Sequence, residues 1–474
     1  MTTLTETRAR LTAGGLATLL LSYTLAPIDL FIVNVALPTI QSDLHASAAT
    51  LEWVIAGYGV AFALLLVIGG RLGDALGRRR VLIWGLAAFT VTSLICGLAP
   101  NEGVLVLARI AQGASAALLV PQVFSIIQAT STGEHRARTI GYIGAVAGLA
   151  MVLGQVLGGV LVAANIAGEG WRPIFLVNVP IGILVILLVN RTLPESRAHD
   201  PIGVDRWGTV LLAGTLLALL VPLLEGRALG WPAWCWALLV AVPVLMAGYL
   251  AVARRLERAG GVPLLPPTLL RMPTMRLGLL TAVPVFAGFG GFMFVFALVF
   301  QTGLHFSPFM AGLALTPAAV GFLVMSLQTS RLVARYGRRV LLVGAVVQGT
   351  GLLMLVGTVL SAWPHVTVFD LAPGALVYGV GQGAIGPVLF RVILSGVPTE
   401  AAGAGSGVLT TTQQTSLALG VATLGSLFVG LSGPAALGMR DALVLVILLM
   451  VAMSVVIGTL ITRLPDPRQP ALAR

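Results

Sequence analysis

The chain contains no lysine; all 28 of its basic residues are arginine. The P-loop that cradles nucleotide phosphates needs Gly-Lys-Ser/Thr, so an ATP-driven motor within this chain is disfavoured. Charge of either sign is scarce. Only 9% of the 474 residues are charged, against about 25% in soluble domains. A water-facing surface cannot be built from so few charges. Cysteine is scarce too. Cys96 and Cys235 both fall in apolar stretches and read as buried unpaired thiols, neither metal ligands nor a disulfide. No His, Cys and carboxylate cluster has metal-ligand spacing. No nucleophile stands beside a base in a recognisable arrangement, so nothing points to an enzyme. A cleavable signal is not expected either. The first 13 residues are polar and lack a small-residue cleavage site, and the apolar stretch after them is too long for a signal peptide.

What the chain has in abundance is apolar residues: 57% are hydrophobic and the mean hydropathy is +1.00. They fall into fourteen segments, 14–38, 51–72, 81–99, 103–129, 138–163, 171–190, 208–224, 234–253, 276–303, 309–334, 339–361, 366–394, 404–430 and 441–462. About 20 apolar residues span the roughly 30 Å of hydrocarbon in a bilayer. Backbone groups there must be satisfied within each segment, so each segment is predicted to be a helix. The fold class is an all-α polytopic membrane protein with both termini on one side.

The arginines choose the side. A net charge of +11 on a soluble protein would suggest a nucleic-acid partner. Here the positives sit in short loops, as the positive-inside rule describes, and no nucleic-acid partner is expected. With the N-terminus inside, the outer loops hold Arg172, Arg227 and Arg440, while Arg109 lies within a helix. The others, among them Arg78, Arg79, Arg80, Arg254, Arg255 and Arg258, lie at or near inner ends. Both termini are therefore expected in the cytoplasm.

A repeat divides the chain. Arg71-Leu72-Gly73-Asp74-Ala75-Leu76-Gly77-Arg78-Arg79 follows the second segment, and Arg331-Leu332-Val333-Ala334-Arg335-Tyr336-Gly337-Arg338-Arg339 follows the tenth. Both are basic hairpins between an outer-to-inner and an inner-to-outer helix, so the repeat is parallel. The predicted organisation is a six-helix bundle over 1–190, linkers and an extra helix pair over 191–275, and a second six-helix bundle over 276–474.

Few residues carry chemistry at depth. Asp29 lies about nine residues from the outer end of its helix, about 13 Å deep. A carboxylate there marks an ion or substrate pathway by default. A purely structural acid is the alternative. Pro27 stands two positions earlier and removes one backbone hydrogen bond beside the acid. Arg109, roughly 9 Å deep on the fourth helix, is the expected partner, in direct or water-mediated contact. Such an arginine favours the charged carboxylate while desolvation opposes it. The balance can leave a carboxyl that exchanges a proton as access changes, or a static pair that fixes two helices. In the first hairpin, Asp74 could accept hydrogen bonds from a helix N-terminus and Arg78 could pair with acids across a cleft. A plain topogenic loop is the alternative. Gly144, Gly148, Gly154 and Gly158 on the fifth helix give two GxxxG spacings that permit close helix approach. Asn34, Tyr58, Gln112, Gln301, Gln328 and Gln413 are candidate cavity residues, although an interhelical hydrogen bond is the more ordinary role of any one such group.

In combination these motifs resemble the major facilitator superfamily, and within it the fourteen-helix drug:proton antiporters. The stretch Gly70–Leu82, with Gly70, Asp74, Gly77 and Arg78, resembles the superfamily's motif A, a conformational gate. Leu105–Gly113 resembles motif B, whose arginine, here Arg109, is implicated in proton coupling. Gly154-Gln155-Val156-Leu157-Gly158-Gly159 resembles motif C, the antiporter signature. Asp29 with Asn34–Pro38, and Trp171–Gly182, are similar to markers of the fourteen-helix group. One position departs: Gln155 stands where motif C usually has proline. Its amide falls where two halves should meet, as a candidate changed gate or substrate contact.

The resemblance implies a proton-coupled exporter of lipophilic, cationic or neutral small molecules that works by alternating access, with Asp29 and Arg109 as the coupling pair. Export of a self-made metabolite or a lipid on the same fold is the second reading. It further implies no cofactor beyond the proton gradient, no metal, a monomer, and the inner membrane of a bacterium.

Overall fold

In a computed structural model the protein is described over residues 11–131, 133–197, 203, 205–395, 397, 402–433 and 436–464. Fourteen helices among the described residues are long and apolar enough to cross a membrane. They are α1 (Ala13–Leu44), α2 (Ala48–Leu76), α3 (Arg78–Gly97), α4 (Glu102–Thr130), α5 (Gly133–Ala164), α6 (Pro173–Thr192) and α7 (Arg206–Glu225). The chain continues through α8 (Ala233–Arg258), α9 (Pro273–Gly303), α10 (Pro308–Tyr336), α11 (Arg339–Ala362), α12 (Val368–Ser395), α13 (Gly405–Leu431) and α14 (Met439–Arg463). Each coincides with one predicted segment, so the fold class read from the sequence stands.

The helices overrun the apolar segments because polar residues cap them. The side chains of Thr12, Ser47 and Asn101 accept the backbone N–H groups of Gly15, Thr50 and Val104 at 3.0, 3.0 and 2.9 Å. These bonds satisfy donors that a helix start leaves orphaned. The first segment reads as ending at Pro38. Instead α1 runs on through Pro38 to Leu44 and stops at His45, whose φ is +53°.

In the N-terminal half α1 packs on α5 and α6, α4 on α2 and α3, and α3 on α6. In the C-terminal half α9 packs on α13 and α14, α12 on α10 and α11, and α11 on α14. The pairing is the same, offset by eight helices, as a parallel repeat requires. The halves meet where α5 packs on α10 and α2 on α13. The extra pair, α7 and α8, packs on itself, and α7 alone reaches α2 and α13. Most of α8 faces outward.

Glycine makes the close crossings possible. A Cβ on Gly113 of α4 would lie 2.2 Å from the Tyr58 carbonyl oxygen of α2, and one on Gly379 of α12 would lie 1.9 Å from that of Ala318 on α10. Without glycine those backbones could not approach so closely, and van der Waals contact between backbones is a main source of cohesion in lipid.

Candidate functional site

The side chains of Asp29 and Arg109 are both fully buried and form a direct ion pair. The Asp29 carboxylate is enclosed by three donors from two helices, α4 and α6. Arg109 Nη1 of α4 donates to Oδ2, while Gln112 Nε2, one turn further along α4, donates to Oδ1 at 2.9 Å. Asn178 Nδ2 of α6 donates to the same oxygen at 3.0 Å. Arg109 also donates to Gln112 Oε1 at 2.7 Å and, through Nε, to the Val54 carbonyl of α2 at 3.0 Å. Its guanidinium lies over the Tyr58 ring at 4.5 Å and within 5.7 Å of the Phe175 ring. Arg109 Nη2 is buried with no partner.

A second layer holds these donors. Ser93 Oγ of α3 accepts from Gln112 Nε2 at 3.2 Å and from Asn178 Nδ2 at 3.0 Å, and donates to the Phe175 carbonyl at 3.0 Å. Cys96 Sγ lies 3.6 Å from Gln112 Oε1. Five helices thus converge on one carboxylate. Charge buried this deeply persists only when paired and hydrogen-bonded. Asn178 and Ser93 were not anticipated as site residues. The signal for Asn178 was present in the sequence: it is the one amide in the apolar run Ile174–Leu188.

The other predicted residues separate. Tyr58 and Gln112 belong to the Asp29 cluster. Asn34 is turned back on its own helix, donating to the Leu30 and Phe31 carbonyls at 3.1 and 3.3 Å. Gln301 Nε2 donates to the Val35 carbonyl at 2.7 Å and ties α9 to α1. Gln413 is half-buried on α13. Gln328 corrects the reading. It is exposed on the face of α10 that also carries Val320 and Val324, so it does not line an interior cavity. Composition shows that an amide lies at depth, but the rotation of the helix decides which way it faces.

Motif C packs as a crossing surface. Added Cβ atoms on Gly154 and Gly158 would come within 2.8 Å of Phe31 Cβ and of the Ile32 carbonyl oxygen, and one on Gly159 within 2.9 Å of the Pro308 carbonyl oxygen. These glycines therefore seat α5 on both α1 and α10. Gln155 is fully buried at this junction of the halves, with Nε2 3.6 Å from the Met293 sulfur of α9 and Oε1 without a partner. Nearby, Phe31 meets Phe289 edge-on across the halves, with ring centroids 6.1 Å apart.

In motif A, Arg78 bonds Asp74 through Nε at 3.0 Å and Nη2 at 2.8 Å. Arg78, at the start of α3, is therefore paired across the Gly77 corner with Asp74 near the end of α2, not with an acid across the cleft. The salt bridge satisfies both groups locally. Gly77 has φ +111°, a conformation that favours glycine, and a Cβ there would meet Glu195 at 2.8 Å. Gly70 sits 3.7 Å from Pro121 by the same measure. Arg71 reaches elsewhere, donating to the Gly203, Val262 and Pro263 carbonyls at 2.7, 2.6 and 3.0 Å. One motif A arginine thereby grips both linkers that flank the extra pair. Among the described residues no group of three or more His, Cys, Asp and Glu could hold a metal ion.

Comparison with known proteins agrees with this architecture. The family model described as Major Facilitator Superfamily matches residues 19–421. The chain is 39% identical to a probable actinorhodin transporter of Streptomyces coelicolor over 415 residues, 87% of this chain and 72% of that protein. It is 35% identical to the cephamycin export protein CmcT of Amycolatopsis lactamdurans, covering 95% and 91% of the two chains. It is 31% identical to the multidrug resistance protein Stp of Mycobacterium tuberculosis, covering 84% and 72%. Among solved structures, a D-xylose-proton symporter superposes with a TM-score of 0.66 at 16% identity, over 96% of this chain and 98% of that one. A fold of fourteen membrane helices in two matching bundles, with a family match over most of its length, makes this chain a member of the major facilitator superfamily.

Proposed function

We propose that this protein is a proton-coupled efflux transporter that exports lipophilic, cationic or neutral small molecules by alternating access. The single observation that carries this reading is the buried Asp29–Arg109 pair inside a two-bundle fold. The relatives, which include export and multidrug resistance proteins, favour drug efflux over the export of a lipid. The bundles at 1–190 and 276–474 are the moving halves, and 191–275 carries the extra pair. Both termini face the cytoplasm, a placement supported by the arginine asymmetry.

The geometry suggests how coupling works. Ionised Asp29 accepts from Arg109, Gln112 and Asn178 together. A proton arriving on Asp29 removes the counter-charge and one acceptor position. Arg109 is then a buried cation with an aromatic bed and carbonyl partners but no neutralising anion, which is costly. Relief comes from rearranging α1 against α4, and motion in that pair is motion of the N-terminal bundle. One proton is worth about 2.3 kcal/mol per 100 mV and about 1.4 kcal/mol per pH unit. Together these sustain a substrate gradient of roughly 500-fold. Phe31, Phe289, Met293 and the free Gln155 Oε1 border the junction of the halves. A mostly apolar wall with one acceptor suits a lipophilic substrate that offers a single donor.

The test is dye export in proteoliposomes under an imposed proton gradient. Wild type accumulates substrate against the gradient. Asp29→Asn, purified and folded, does not. Normal gradient-driven export by that variant would sink the coupling assignment.

A further inference from the structure

A second carboxyl is buried at the outer end of the molecule, well apart in role from Asp29. Glu52 stands on the second turn of α2 and is 1% exposed. Three elements converge on it. Ser426 comes from α13, directly after the π-helical turn Val421–Gly425. Such widened turns recur at functional positions. Leu223 comes from α7 of the extra pair. N-terminal bundle, C-terminal bundle and extra pair therefore meet at one carboxyl.

The hydrogen-bond geometry favours a proton on Glu52. Ser426 Oγ lies 2.7 Å from Glu52 Oε2 and 3.4 Å from the Leu223 carbonyl oxygen. A serine hydroxyl has one proton to donate. Were Glu52 ionised, both neighbours would be acceptors and one contact would go unmet. With the proton on Glu52, the acid donates to Ser426 Oγ, which donates onward to Leu223, and both contacts are hydrogen bonds.

The surrounding charges are few. From α7, Glu225 accepts the Trp53 indole N–H at 2.7 Å, and Arg227, just beyond α7, lays its Cδ beside Gly430 of α13. From α4, Glu102 accepts the Ser47 N–H at 3.3 Å, and Arg109, paired with Asp29 of α1, donates to the Val54 carbonyl. From α13 the facing group is the neutral Ser426. Among the described residues Glu52 has no ion-pair partner, and an isolated buried carboxylate is the costly state.

We propose that Glu52, Ser426 and Leu223 form a proton-dependent latch that holds the outer ends of α2, α13 and α7 together in acid and releases them in alkali. Its sidedness rests on the orientation proposed above. Closing the latch buries Glu52 with a proton taken from outside. Opening exposes it to water, where a carboxyl ionises near pH 4.3. The proton returns to the side it came from, so this site regulates the cycle without carrying a proton across. Raising the pH therefore favours the open form, and the open-to-closed ratio rises by up to about tenfold per pH unit.

The experiment is an electron–electron distance measurement on the full chain in detergent micelles. Spin labels at Ser42→Cys and Gly433→Cys report separation of the outer loops, and micelles expose both faces to one pH. The wild type gains a long-distance population as pH rises. Glu52→Gln, whose amide donates to Ser426 as the acid would, stays short at every pH. Ser426→Ala shows the long distance even in acid. A wild-type distribution indifferent to pH, or a Glu52→Gln distribution that shifts as wild type does, overturns the latch. Should Glu52→Gln fail to fold, Ser426→Ala decides: an acid-state distribution equal to wild type overturns it. In proteoliposomes, a response to inside pH alone would contradict the orientation and leave the latch standing.

Discussion

In the N-terminal half, Gly113 of α4 rests on the Tyr58 carbonyl of α2; in the C-terminal half, Gly379 of α12 rests on the Ala318 carbonyl of α10. These crossings put the two halves in register and allow them to be compared position by position. Next to Gly113 stands Gln112, inside the network around Asp29 and Arg109. Next to Gly379 stands Tyr378, stacked on Phe292 at 4.1 Å, with Phe292 and Phe296 4.3 Å apart. The backbone solution is shared and the filling is opposite, polar and charged on one side, aromatic on the other. The two arginine-rich hairpins keep one device in common. Arg79 donates to the Leu193 carbonyl at 3.1 Å and Arg338 to the Leu464 carbonyl at 3.4 Å. In each half a hairpin arginine thus caps the end of that half's last helix. A repeat can keep its packing while only one copy carries charge, and the copy with charge is where proton chemistry can reside.

The sharpest way to break this comparison is to unbalance the charged side. Arg109→Ala leaves Asp29 buried without its cation, and thermal unfolding should show a loss of about 3–5 kcal/mol. Arg109→Lys should recover part of it, since an ammonium keeps the charge but not the planar fork. The glycine crossings come next. Gly113→Ala and Gly379→Ala should each cost about 1–3 kcal/mol through overpacking. A large cost in only one half would mean the crossings are not equivalent. Asn178→Ala removes one neutral donor to Asp29 and should cost about 1.5 kcal/mol, with weaker gradient-driven export. The smallest effect is expected on the aromatic side. The Tyr378 hydroxyl is buried without a partner, so Tyr378→Phe should be neutral or slightly stabilising. A marked loss on that change would reveal a polar role in the C-terminal half.

Much of this was legible in the sequence. Apolar segments of bilayer length gave fourteen helices because hydrocarbon leaves the backbone no alternative. Gly77 and Gly337, with positive φ at both hairpins, mark the repeat that the Arg-Leu and Arg-Arg spacings suggested. Depth alone brought Asp29 and Arg109 to one level. Rotation about the helix axis was not legible. Gln328 lies at a plausible depth on the wrong face, Ser93 faces inward without any sequence sign of it, and Asn178 is marked only as a lone amide in an apolar run. Glu52 was missed for a related reason. It is the second residue of the apolar segment 51–72, where an acid looks like a solvated edge until α13 and α7 are seen to cover it. Arg78 found its acid within its own hairpin, because the turn at Gly77 brings the end of α2 against the start of α3.

The central claim is that Asp29 exchanges the coupling proton. The most direct measurement is proton release when substrate binds to purified protein in weakly buffered detergent solution, followed with a pH indicator. Wild type should release protons on binding, and Asp29→Asn should bind substrate and release none. Equal release from both proteins would contradict the account.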